Sequence, residues 1–378
     1  MELTEKSSYH KQKERNYGID LLRLISMLMV VFLHVLGQGG VLKSAGNLTL
    51  KGEIFWLVEI ACYGAVNVYA IISGYVGIKS RHKYSSLISL CLQVVFYSFV
   101  VTAFEIVMSW YTSTPIEAKT ILSHLFPTIK DYWYFSAYFC LFFLMPLLNG
   151  IVNLLPRRVL KTAGVFAFLV FSCWSVFSSV VSSFSSGYSV WWIALLYLTG
   201  AYFAKYDPLE KWSAKGCFFG YLICVLLTEL SRIAIGFGTR WATGRVQNIK
   251  MFVVYTSPTI VLGAVFLFYA CAKMRVGEKI SKAIAFLAPM AFGVYLVHCH
   301  PYAYGKLKGV LTPVVEQSLW IAILKISGFA LLIFAGCILI DWLRLLLFKA
   351  IKIKEFSQWL ENLLSRFFAR LFKLSHGE

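Results

Sequence analysis

Gly18-Ile19-Asp20-Leu21-Leu22-Arg23-Leu24-Ile25-Ser26-Met27-Leu28-Met29-Val30-Val31-Phe32-Leu33-His34 opens the first apolar block of the chain, which runs over residues 19–41. A helix that crosses a bilayer needs about 20 mostly apolar residues, and this block supplies them. Asp20, Arg23 and His34 inside it are groups that the apolar region of a cleavable signal peptide would not carry. The block therefore reads as a retained membrane helix, and its charges ask for an explanation. Arg23 and His34 are eleven positions apart. At about 100° per residue this is about 20° beyond three full turns, so both leave one face of the helix, separated by a rise of about 16 Å.

The rest of the chain extends the same reading. Of its 378 residues 59% are hydrophobic and 14% charged. Soluble domains carry roughly 25% charged residues, so an ordinary cytoplasmic enzyme, a disordered scaffold and a disulfide-stapled secreted module are excluded. The net charge of +18 is spread in short runs between apolar blocks, which points away from nucleic acid. The nine cysteines lie mostly inside apolar stretches and show neither metal-ligand spacing nor a paired framework, so no metal cofactor is expected.

Ten segments have the length and apolarity of a span: 19–41, 54–78, 85–110, 132–155, 159–181, 187–204, 216–235, 251–272, 284–300 and 319–348. The expectation is an all-α, polytopic membrane bundle. It has a short N-terminal tail (1–18), a transmembrane domain (19–348) and a C-terminal basic amphipathic helix (349–378). Lys79, Arg81, Lys83, Arg157, Arg158, Lys161, Lys205, Lys211, Lys215, Lys273, Arg275, Lys279 and Lys282 fall on alternate loops, together with the tail lysines Lys6, Lys11 and Lys13. The excess predicts that these loops and both termini are cytoplasmic, in a cell membrane. The 240–250 loop, with Arg240, Arg245 and Lys250, is basic yet falls outside, and reads either as a plain solvated loop or as a contact for an acidic substrate. Beyond residue 353, Phe356, Trp359, Leu360, Leu363, Leu364 and Phe367 recur at helical spacing with Lys354 and Arg366, as in a helix lying on the inner leaflet against membrane lipid.

Ionisable residues within spans are functional candidates by default. Glu229 and Arg232, three apart, can pair with each other, and so can Asp20 and Arg23. Arg23 offers a fixed cation suited to phosphate, and His34 a base that exchanges a proton near neutral pH. The same topology brings Glu59, Glu105 and His298, with Tyr255, Ser257 and Pro258, towards the outer side near His34. That predicts a polar cavity with Arg23 below it. Pro146, Pro258 and Pro289 interrupt helices, for packing or to line such a cavity.

Gly18-Ile19-Asp20-Leu21-Leu22-Arg23 with His34 resembles the signature of the membrane-bound acyltransferase-3 family. The resemblance continues in order through Val66-Asn67-Val68-Tyr69-Ala70-Ile71-Ile72-Ser73-Gly74-Tyr75, then Tyr132-Trp133-Tyr134-Phe135 reaching Pro146-Leu147-Leu148-Asn149. It closes with Tyr255-Thr256-Ser257-Pro258 and Phe292-Gly293-Val294-Tyr295-Leu296-Val297-His298. Gly187-Tyr188-Ser189 with Tyr197 and Gly200 is similar to the branch acting on polysaccharides. Lys79-Ser80-Arg81-His82-Lys83 stands where many members carry an arginine-rich stretch.

This resemblance implies transfer of an acyl group, with acetyl expected, from cytoplasmic acyl-CoA to a hydroxyl of an envelope or extracellular polysaccharide or its lipid-linked precursor. It implies Arg23 and His34 as the essential pair. Donor contacts are expected from Arg23, Ser73, Tyr75, Arg81 and Lys83, and acceptor contacts from Glu59, Trp133, Tyr255, Ser257 and His298. The physical scheme has His34 accept the acceptor's hydroxyl proton, oriented by Glu59 or Glu105, while Arg23 or the 79–83 loop holds the donor phosphates. Proteins of glycan biosynthesis are the expected partners. A competing reading is a transporter, since a polar pathway through ten helices also suits export of a glycan or small polar solute.

Overall fold

The computed structural model describes residues 15–126, 131–178 and 186–375, the side chains as far as 367, and among them every regular element is helical. Lys6, Lys11 and Lys13 lie outside the described residues. α1 (Tyr17–Gly37) starts at Asn16, whose side chain accepts the Ile19 N–H at 3.2 Å. This satisfies one of the orphan donors of the first turn. After the single turn α2 (Val41–Ser44), α3 (Leu50–Tyr63) and α4 (Ala65–Gly77) make one apolar span that is offset at Gly64. There follow α5 (Tyr84–Tyr111), the short α6 (Ala118–Leu125), α7 (Trp133–Leu154) with Pro146 inside it, and α8 (Arg157–Phe168). α8 continues as a π turn, Leu169–Cys173, and a 3-10 turn, Trp174–Val176.

α9 (Val190–Tyr206) and α10 (Ala214–Thr243) begin at Ser189 and Ser213, whose hydroxyls accept the N–H groups of Trp192 and Gly216. α11 (Pro258–Ala272) is shorter than the sequence segment 251–272. Pro258 supplies its first residue, and the residue before a proline is pushed away from helical geometry, so the helix cannot extend backwards. α12 (Glu278–Leu287) and α13 (Ala291–His298) are joined by a 3-10 turn, Ala288–Met290, built around Pro289. The short α14 (Pro301–Lys306) and α15 (Thr312–Val315) lead to α16 (Leu319–Ala350) and α17 (Ile353–Ser375). The protein is thus an all-α polytopic bundle. Among the described residues, eight helical segments are long and apolar enough to cross a membrane, and the segments at α9 and α11 fall short of that length at 17 and 15 residues.

The centre of the bundle is apolar and tightly drawn together. Leu22, Val68, Ile71, Ile193, Tyr197 and Phe268 are fully buried. α4 and α9 cross where Gly74 meets Gly200. A Cβ on Gly74 would stand 1.9 Å from the Tyr197 carbonyl oxygen, and one on Gly200 would stand 2.0 Å from that of Ile71. Small residues at a crossing let two membrane helices approach backbone to backbone. Gly74→Ala is therefore expected to push α4 and α9 apart and to lower stability by about 1–3 kcal/mol. Thermal unfolding in detergent reads this directly, and an unchanged melting temperature would show that the crossing tolerates a methyl group. On the perimeter, Phe104, Val107, Phe219, Leu227, Leu332 and Leu339 are exposed, a surface suited to lipid rather than water.

Two buried ion clusters tie the helices together away from this centre. On α10, Arg232 is fully buried and bonds Glu229 at 2.9 Å, as the spacing predicts, and also Glu53 on α3, with its guanidinium over the Trp56 ring. On α16, Asp341 is fully buried and accepts from Gln93 and Tyr97 of α5 at 3.0 and 2.7 Å, and from Arg344 at 2.7 Å. At the same place α13 passes so close that a Cβ on Gly293 would clash with the Asp341 carboxylate.

α17 packs against the start of α5. The Ser89 hydroxyl donates to that of Ser357 at 2.9 Å, and Glu361 accepts the Tyr84 N–H at 2.8 Å. The Ser85 hydroxyl, with the Tyr84 and Ser85 amides, holds the Glu361 carboxyl below its ordinary range. The C-terminal helix is therefore fastened next to the Lys79–Lys83 turn that joins α4 to α5.

Candidate functional site

α1 carries the site. Met27, Val30, Leu33, His34 and Gly37 all line one cavity of about 450 Å³, so the cavity runs along the face of α1 that also bears Arg23. Its wall is completed by Glu59 and Tyr63 from α3, Tyr69 from α4, Trp133 and Tyr134 from α7, Tyr255 before α11, and Tyr304 from α14. Trp133, Tyr188, Tyr255 and Tyr63 form a connected aromatic wall, with ring centroids 4.6 Å (Trp133–Tyr188), 5.0 Å (Tyr188–Tyr255) and 5.0 Å (Tyr63–Tyr255) apart.

Buried polar bonds hold this wall in place. Asn67, fully buried on α4, donates from Nδ2 to the Tyr255 carbonyl at 2.8 Å and accepts from Trp192 Nε1 at 3.0 Å. Gly187 has φ +101°, and a Cβ there would come within 2.5 Å of Tyr255. Glycine at 187 is what lets Tyr188 lie against Tyr255.

His34 is held by a second histidine. His34 Nδ1 and His298 Nε2 are 3.0 Å apart, and His298 Nδ1 is 2.5 Å from the Val294 carbonyl oxygen. A carbonyl can only accept, so His298 carries its proton on Nδ1 and presents a lone pair at Nε2. His34 Nδ1 must then be the donor in the histidine pair. This assigns the neutral tautomer of His34 with its lone pair on Nε2, the form able to take a proton from a hydroxyl. Cys299 Sγ lies beside both rings, 3.6 Å from His34 Nδ1 and 3.4 Å from His298 Nε2.

The carboxylates sit differently from each other. Glu59 lines the His34 cavity, and its Oε2 is buried without a hydrogen-bond partner among the described residues. Glu105 bonds His124 of α6 at 2.5 Å and lines a separate cavity of about 410 Å³, with Ser109, Thr112, Tyr302 and Lys306. The partner that orients His34 is thus neither carboxylate but His298, which stands behind His34 rather than among the lining residues. Ser257 is fully buried, 3.2 Å from the Thr259 hydroxyl, and is also not a lining residue. Of the basic loop, Lys250 reaches the cavity and covers the Trp56 ring.

α14 separates the two cavities. At about 100° per residue, Pro301, Tyr302, Gly305 and Lys306 occupy an arc of about 140°, and all four face the Glu105 side. Tyr304 lies on the remaining face and meets His34, with ring centroids 5.1 Å apart and nearly perpendicular.

Arg23 lies one helical turn beyond Met27, at the far end of the His34 face. It bonds Asp20 at 2.6 Å, and Asp20 also bonds Arg15 at 2.5 Å. The Arg23 side chain is nevertheless 32% exposed. The Tyr69 hydroxyl, which lines the cavity, donates to the Arg23 carbonyl at 2.5 Å, so the cavity floor rests on the turn that carries Arg23. Beyond it, Ser73 donates to the Tyr69 carbonyl at 2.8 Å, and Tyr75 packs on Phe268 beneath Lys79. Arg81 and Lys83 are exposed in the following turn.

Tyr63, Tyr188, Tyr304, Asn67 and Cys299 have places here that sequence spacing did not reveal. For Asn67 the signal was present, an amide inside the apolar run Val66–Ile72. Neither a curated protein nor a solved structure matches the chain. A family model described as an acyltransferase domain, that of acyltransferase-3, matches residues 16–342, which include both α1 residues and every lining residue of the cavity. The chain is a multi-pass membrane protein and belongs to the acyltransferase-3 family.

Proposed function

We propose that this acyltransferase moves an acyl group, acetyl in the first instance, from cytoplasmic acyl-CoA to a hydroxyl of a cell-envelope or extracellular polysaccharide or its lipid-linked precursor. In this reading it acts in the cell membrane, with both termini and the Arg23 end of the bundle cytoplasmic. The observation that carries the reading is the His34 tautomer, with a lone pair on Nε2 in a cavity that follows α1 towards an accessible arginine.

The chemistry then runs along one helix face. The donor phosphates meet the Arg23 guanidinium, with Arg81 and Lys83 nearby, and the acyl-pantetheine arm lies along Met27 and Val30. The acceptor hydroxyl gives its proton to His34 Nε2 as its oxygen attacks the thioester carbonyl. The carbon–sulfur bond breaks, and the proton passes from His34 to the departing CoA sulfur. The aromatic wall of Trp133, Tyr188 and Tyr255 offers flat faces to the C–H surface of a sugar ring. Lys250 and Glu59 offer polar contacts to its hydroxyls or acidic groups.

Reconstituted protein supplied with isotope-labelled acetyl-CoA and a polysaccharide acceptor should form labelled, alkali-labile esters on the glycan. Failure to form them with any acyl-CoA would overturn the reading. The donor half has its own test. Arg23→Lys keeps the charge and loses the forked geometry that grips phosphate oxygens in pairs. It is expected to weaken acyl-CoA binding about tenfold in a normally folded protein. Unchanged donor affinity would leave Arg23 only its bond to Asp20.

A further inference from the structure

We propose that His34, His298 and Cys299 form a latent site for a borderline-soft divalent cation of the Zn²⁺ class, and that its occupation switches acyl transfer off. The binding claim stands on geometry alone, and only the inhibitory claim rests on the function proposed above.

Three donor atoms of the right chemistry converge from two helices. With Zn–N bonds of about 2.05 Å and Zn–S bonds of about 2.3 Å at tetrahedral angles, two nitrogens stand about 3.3 Å apart and each lies about 3.5 Å from the sulfur. The separations here are 3.0 Å between His34 Nδ1 and His298 Nε2, and 3.6 and 3.4 Å from these atoms to Cys299 Sγ. A few tenths of an ångström of opening between the rings completes the triangle. The support behind the ligands is also in place. A metal-bound histidine usually donates its other N–H to a carbonyl or carboxylate, and His298 Nδ1 already does so to Val294. Sequence spacing conceals this set, because its members lie on α1 and at the end of α13.

Occupation is incompatible with general-base chemistry. Coordination replaces the His34–His298 hydrogen bond, and Cys299 releases its thiol proton to become a thiolate ligand. A neutral imidazole that binds metal through Nδ1 carries its proton on Nε2. The atom that must accept the hydroxyl proton then becomes a donor, and transfer stops. Three protein ligands leave a fourth position for water, as in an open site.

Cobalt and zinc titrations of the purified, intact protein test both parts. Co²⁺ should give the near-ultraviolet thiolate-to-cobalt absorption together with visible bands of a four-coordinate ion. Cys299→Ser should abolish that absorption, and zinc inhibition is read as a fraction of each variant's own metal-free rate. Zinc should inhibit the wild type reversibly, with activity restored by a chelator. The Ser variant should need at least about tenfold more zinc for the same inhibition. Cys299→Ala provides the same comparison if the serine variant folds poorly. A thiolate–cobalt band that survives in both variants belongs to another cysteine and overturns the site. Equal zinc sensitivity of wild type and variants overturns the switch. The cobalt spectrum needs no substrate, so its outcome stands whether or not the acceptor assigned above is correct.

Discussion

His34→Gln is expected to abolish acyl-ester formation while the protein remains folded and still binds donor. Glutamine retains polarity and approximate reach but cannot take up a proton near neutral pH. A positioned general base contributes about 10²–10⁴-fold, enough to separate a dead variant from background hydrolysis. The structure sharpens this expectation, because His298 and Val294 fix which nitrogen of His34 holds the lone pair. The measurement is ester formation on the glycan, alongside size-exclusion behaviour and acyl-CoA binding of the same preparation. A folded variant that acylates at close to the wild-type rate would remove the general base from the mechanism and favour a pathway for export.

The second large effect is on folding. Asp341 on α16 is the common acceptor for Gln93, Tyr97 and Arg344, and all four side chains are buried. Asp341→Ala leaves the Arg344 guanidinium, itself 7% exposed, without its charge partner among apolar helices. Removing one member of a buried pair typically costs about 3–5 kcal/mol, because the remaining charge is stranded. The variant should show a marked loss of folded protein in detergent and a clearly lowered melting temperature. Replacing both Asp341 and Arg344 by apolar residues should recover part of the loss. A single variant as stable as the wild type would mean that Arg344 finds water or lipid headgroups instead.

How much of this was legible beforehand depended on whether the signal was local. The fold class followed from apolar length and the scarcity of charge, and α1 with its Arg23–His34 face followed from helical periodicity alone. The pairing of Glu229 with Arg232 was readable for the same reason, since three residues along a helix fix a neighbour. What could not be read was any partner brought in from another helix. His298 behind His34, Glu53 beside Arg232, and Asp341 against Gln93 and Tyr97 are separated by 264, 179 and more than 240 positions, respectively. The choice between Glu59 and Glu105 as the support for His34 failed to include a histidine because spacing describes single helices. Interhelical geometry decides the rest. The start of α11 is a smaller case, in which the apolar run 251–257 looked helical and Pro258 set the boundary.

α14, barely a turn and a half long, is the shared wall between the His34 cavity and the Glu105 cavity, with Tyr304 on one side and Tyr302 and Lys306 on the other. The same short helix thus bounds both spaces, and a movement of α14 towards one chamber is a movement away from the other. A group bound against Tyr302 and Lys306 on the Glu105 side therefore lies one helix away from the Tyr304 ring that meets His34.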